Sequence, residues 1–183
     1  MKSLTKLVMH LSFPLLALSN TAGATGFRVP EGQPDGVYRV NYDSAGSAVH
    51  TWLRAPVGTT DQVPTSGTTR SMHVRDYDYI DCGGYGLNSG DTDRAVASLK
   101  AQCNPGAVNS GYDFYSISGS TVAYICDLGG SAIVCQQSEL ANSYAKITGT
   151  CGRYGSGWET VDTAAYKYQI GYEDRFSEAD YTM

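Results

Sequence analysis

Five cysteines, Cys82, Cys103, Cys126, Cys135 and Cys151, constrain this chain more than any other feature, because all of them fall between residues 82 and 151 of 183. The compact part of the fold must therefore lie there. In an exported chain, cysteines at such spacings imply disulfides. Five is odd, so at most two bridges form, and one thiol is left free or pairs with another chain. No C-x-x-C pair occurs, and past the leader only His50 and His73 are available to help. A structural zinc site is not expected, and neither is a cofactor. The spacing leaves the connectivity open.

Export itself is read from the first residues. Lys2 and Lys6 precede the apolar run Leu7–Leu18, and Ala22-Gly-Ala24 follows, which is the order of a secretory signal with cleavage after Ala24. His10, Ser12 and Pro14 interrupt the run, which falls short of the roughly 20 apolar residues of an anchor. No later segment approaches spanning length, so no integral membrane association is expected. Loss of residues 1–24 removes two of 13 basic and none of 18 acidic residues, taking the formal charge from −5 to −7. A chain this acidic is a poor tracker of phosphate backbones, and no nucleic-acid partner is expected.

The mature chain divides by composition. Residues 25–54 contain a β-hairpin: Gly36–Tyr42 alternates, Asp43-Ser-Ala-Gly46 turns, and Ala48–Leu53 returns. Residues 55–75 carry Pro56, Gly58, Pro64, Gly67 and five threonines without hydrophobic period, and read as a flexible linker. A two-stranded unit is marginal alone, so the hairpin docks on the cysteine domain, acts as a pro-segment or stays mobile.

Residues 76–183 form the cysteine-containing domain. Asp76–Cys82 is an entry strand whose Asp76, Asp78 and Asp81 are read as a solvated face, since the glycine and terminal glutamate of an EF-hand loop are missing. A helix follows from Asp91, a cap candidate, through Ala95, Val96 and Leu99 to Cys103, and Asn104-Pro105 stops it. Tyr112–Ile117 and Thr121–Cys126 form a second hairpin around Ser118-Gly-Ser120, with a loop at Asp127–Gly130. Leu140, Tyr144, Ile147 and Cys151 share one face of a helix over Ser138–Thr150, with Ser138 a cap candidate and Gly152 at its end. Gly155-Ser-Gly157 reads as a flexible turn, Ala164–Tyr172 as a final strand, and Glu173–Met183 as a frayed acidic tail. The class is α+β: an antiparallel sheet with two helices on one face, stapled by disulfides.

Thr121-Val-Ala-Tyr-Ile-Cys126 with Gly129-Gly130, the run Ser138–Gly152 and Tyr166–Tyr172 resemble small secreted cysteine-containing proteins of filamentous fungi. Val29–Tyr38 and Val49-His50 resemble the leader region of the same group. More distantly, the order of elements is similar to the α/β sandwich of smut killer toxins and necrosis-inducing effectors. The resemblance implies an effector that binds a host component, outside the cell or after entry into it, or a toxin against competing microbes. Members often carry a further cysteine near the C-terminus. This chain ends Phe176–Met183 without one, so no pairing is carried over.

Nothing in the sequence forms a catalytic motif. G-x-S-x-G is absent, His50 reads as an exposed strand histidine and His73 lies in the linker. Asp91, Asp93, Asp113, Asp127 and Glu139 are the carboxylates a small hydrolase would have to pair. The best local binding candidate is Arg153-Tyr-Gly-Ser-Gly-Trp158, because Arg153, Tyr154 and Trp158 are the side-chain types that dominate interface energies. The expected partner is a host protein or cell-surface component. The chain itself is expected as a monomer or as a dimer linked through the odd cysteine.

Overall fold

The computed structural model describes residues 27–58, 77–104, 107–109, 112–130 and 133–176. The signal sequence, His73, Asp76 and nearly all of the linker lie outside the described residues. Among the described residues, nine strands and two helices follow one another as β1 (Gly36–Tyr42), β2 (Ala48–Arg54), β3 (Tyr77–Gly86), α1 (Ser89–Gln102), β4 (Ala107–Asn109), β5 (Asp113–Ser118), β6 (Thr121–Gly130), β7 (Ile133–Cys135), α2 (Gln137–Cys151), β8 (Gly155–Asp162) and β9 (Tyr166–Asp174). Seven strands make one antiparallel sheet in the order β2-β1-β5-β6-β9-β8-β3, and β4 pairs with β7 in a small second sheet.

The N-terminal hairpin is part of the main sheet, since β1 pairs with β5 from Gly36 against Ile117 to Val40 against Asp113. β5 is buried at every residue, so this central strand has a covered face on each side. Alternation sorts its side chains. Phe114 joins Ala123, Ile125, Ile170 and Tyr172 beneath the helices, with Leu99 from α1 and Leu140, Tyr144 and Ile147 from α2. Tyr115 and Ile117 point the other way, with Tyr38, Val40, Val122, Tyr124 and Cys126, and Phe27 from the segment before β1 closes that second core. Both helices therefore lie on one face, α1 over β5 and β6 and α2 over β3, β8 and β9.

Two disulfides pin these helices. Cys103, the C-cap of α1, joins Cys135 at the end of β7 across a Cα–Cα distance of 5.1 Å. Cys151, at the end of α2, joins Cys82 on edge strand β3 across 5.4 Å. Cys126 is the free cysteine and is fully buried. The dimer expected through the odd cysteine therefore has no accessible thiol in the folded chain.

Several local expectations are corrected. The cap of α1 is Asn88, whose side chain accepts from the Asp91 N–H at 3.1 Å; Asp91 instead sits in the first turn and accepts from the Ser120 N–H at 3.0 Å. Ser138 does not cap α2, which starts at Gln137 after Gln136 with no side-chain cap. Residues 127–130 continue β6 around a bulge at Asp127/Gly129, where Gly129 has φ 117°. Gly155-Ser-Gly157 opens β8, and the true turn lies just before it. Glu173 and Asp174 belong to β9, paired with Val122 and Thr121, rather than to a tail.

Candidate functional site

Between the two helices lies a cleft of about 450 Å³, within the roughly 300–1,000 Å³ range of small-ligand sites. Asp93, Val96, Ala97 and Lys100 line it from α1, Tyr144 and Thr148 from α2, Tyr172 from β9, and Arg153 and Tyr154 from the turn after α2. The floor is aromatic: the rings of Tyr144 and Tyr172 stack with centroids 5.4 Å apart, and the Tyr172 hydroxyl lies 3.0 Å from Thr148 Oγ1. Burial pushes both phenols above their usual range, so at neutral pH they remain protonated donors.

The rim owes its shape to a tight turn. Gly152 ends α2 with φ 86°, and the Gly155 N–H returns to the Gly152 carbonyl at 3.1 Å. Within that turn Tyr154 has φ 61°, the one positive value outside glycine among the described residues. Such a conformation in a bulky residue persists only where its surroundings fix it. Here the Leu87 N–H donates to the Tyr154 carbonyl at 2.8 Å, and the Tyr154 hydroxyl donates to Asp93 Oδ2 at 3.1 Å. Arg153 folds over the same ring, its guanidinium carbon 5.1 Å from the centroid. The hydrogen bond to Tyr154 raises the Arg153 pKa, and the side chain is a permanent cation.

Lys100 and Arg153 against Asp93 leave the cleft with a positive balance on a chain of net charge −5. Its described lining has one carboxylate and no histidine or cysteine. The chemistry on offer is recognition through cations, hydroxyls and aromatic rings; acid–base work needs a second titrating partner.

Of the three binding residues expected from sequence, the structure brings Arg153 and Tyr154 together and sends Trp158 elsewhere. Trp158 pairs with Gly171 and packs against the second core, on the opposite side of the sheet from the helices. His50 is half-buried rather than exposed: its Nδ1 lies 2.9 Å from the Tyr115 hydroxyl and its ring meets Phe27 edge-on. Burial holds its pKa down, as suits a neutral core imidazole.

The five carboxylates are each tied into local structure. Asp91 holds Arg94 and Ser120, Asp93 holds Tyr154, and Asp113 accepts from the Tyr42 hydroxyl and the Asp127 N–H. Asp127 accepts from the Gly129 N–H, and Glu139 from the Tyr168 hydroxyl. Asp78 and Asp81 fall on opposite faces of β3, Asp78 reaching Lys146 at 3.2 Å while Asp81 lies opposite Trp158. Asp113 and Asp127 are neighbours, the Asp127 charge adding to the rise of the Asp113 pKa, but among the described residues no three carboxylates, histidines or cysteines gather as a metal site would need. A smaller pocket of about 190 Å³ beside Ile125, Ile133 and Val134 is mainly apolar, and its Tyr168–Glu139 pair is satisfied internally.

No family model, curated protein or solved structure matches the chain. Among the described residues no helix is long and apolar enough to cross a membrane.

Proposed function

We propose that this is a secreted, effector-type binding protein that takes its target in the cleft between α1 and α2. The signal-like leader and the resemblance to small secreted fungal proteins support export and a host-directed role. The observation that carries the site is Tyr154: a bulky residue held at φ 61° by two hydrogen bonds, with Arg153 stacked on it, at the mouth of a cavity of ligand size. Strain of this kind stabilises nothing locally, and it places a ring and a cation where a ligand would meet them. The disulfides at the ends of both helices keep the cleft walls in register, which lowers the entropy cost of binding.

The test is a deletion strain of the source organism, grown in pure culture and in its host, and complemented with wild type or with Arg153→Gln. A defect confined to the host, rescued by wild type and not by the variant, supports the reading. Equal growth of the deletion strain in both settings sinks the effector role. Full rescue by Arg153→Gln moves the site away from the cleft.

A further inference from the structure

Resting on that reading of the cleft, we propose that its ligand is an acidic oligosaccharide, one whose sugar rings carry carboxylates. Three properties of the lining select this chemistry. The first is the arrangement of charge. Lys100 on α1 and Arg153 after α2 come from different elements, and the one carboxylate beside them in the described lining is Asp93, which already accepts from the Tyr154 hydroxyl. Two separated cations suit a ligand with charges spaced along a chain, and a planar guanidinium suits a carboxylate.

The second is the absence of a phosphate cradle. The lining runs from Thr92 to Lys100 on α1 and draws on the C-terminal half of α2; the Asp91 and Thr92 N–H groups at the start of α1 already donate to Asn88, so neither is left to hold an anion. Compact phosphates are held by such backbone N–H groups. The third is the mixture of rings and hydroxyls. Tyr144, Tyr172 and Tyr154 offer aromatic surface, and Thr148 with the Tyr172 and Tyr154 hydroxyls offers polar edges. A pyranose presents apolar C–H faces and a hydroxyl perimeter, which such amphipathic side chains match. A helical peptide would ask for an extended apolar groove to seat its i, i+3 and i+4 anchors, whereas the aliphatic part of this lining is limited to Val96 and Ala97.

Titration calorimetry on the oxidised mature chain provides the test, with trigalacturonate as probe and its fully methyl-esterified form as a control of the same ring chemistry. Trigalacturonate should bind, the ester should bind at least tenfold more weakly, and Arg153→Gln and Lys100→Gln should each weaken the acid by about tenfold. Both variants should fold, with melting temperatures within about 4 °C of wild type, a margin that covers loss of the Lys100 charge from the last turn of α1. Equal affinity for acid and ester overturns the proposal, as does binding that neither variant alters. Binding of neither sugar, while Arg153→Gln still loses the host phenotype, rejects the ligand class and keeps the cleft. Retention of the phenotype by that variant rejects both.

Discussion

Phe27 stacks on Tyr115 with ring centroids 4.8 Å apart, and Tyr38 stacks on the same tyrosine at 4.9 Å. A residue outside every strand thus closes the second face of the sheet, and it is only 1% exposed. Were the chain cut after Ala24, as its sequence leads one to expect, Phe27 would stand third from the new N-terminus.

Phe27→Ala should therefore destabilise the protein by about 3–5 kcal/mol, the range for emptying a buried aromatic site. Denaturant unfolding measures this directly. A loss under about 1 kcal/mol would mean that the segment before β1 does not cover the sheet in solution.

The two bridges close loops of sequence separation 69 and 32. Chain entropy assigns each about 4 kcal/mol of stabilisation. Replacing the pair Cys82 and Cys151 by serine should lower stability by that order, and so should replacing Cys103 and Cys135. Cys126 should resist alkylation in the native protein and react once after unfolding without reductant, since burial also raises its thiol pKa well above the usual range. Peptide maps showing Cys126 in a bridge would refute this pairing.

Much of the fold is legible in the sequence where one periodicity has a single cause. Leu140, Tyr144 and Ile147 repeat at helical spacing because they all face the sheet, and all three are buried. β8 is hidden for a physical reason: a side chain at Gly157 would press on the Asp81 carbonyl at 2.7 Å and on Cys151 Sγ at 2.8 Å. The disulfide demands glycine inside a strand, and glycine reads as a turn. Once β8 is recognised, its alternation places Trp158 on the face away from α2. Arg153 and Tyr154 stand out by residue type and Asp93 only as one of five carboxylates, whereas Lys100 carries no signal, being an ordinary polar position on α1 until the turn after α2 folds nearby.

Stability should fall as pH rises toward neutrality. Burial raises Asp113 from 3.8 to about 6 and Glu173 from 4.5 to about 7. In this interval the folded chain binds more protons than the unfolded chain, so the stability gained near pH 4 is lost progressively up to pH 7. The two groups together account for a few kcal/mol. Asp113→Asn keeps an acceptor for Tyr42 and should flatten the lower part of that slope. A melting temperature that climbs steadily from pH 5 to pH 7 would contradict the burial of both carboxyls.

Tyr154 and Trp158 separate the cleft from the second core. Trp158→Ala removes a partly buried ring from the far side of the sheet and should cost about 2 kcal/mol while leaving trigalacturonate affinity within about twofold. Tyr154→Gly should do the reverse. It relieves a left-handed conformation worth about 1 kcal/mol and gives up two exposed hydrogen bonds, to Asp93 and from Arg153, so stability should stay within about 1 kcal/mol. Its affinity should drop at least tenfold, because the ring that positions Arg153 is gone. Paired melting and calorimetry on both variants decide the matter: if Trp158→Ala abolishes binding in a folded protein and Tyr154→Gly does not, the ligand sits on the sheet face opposite the helices.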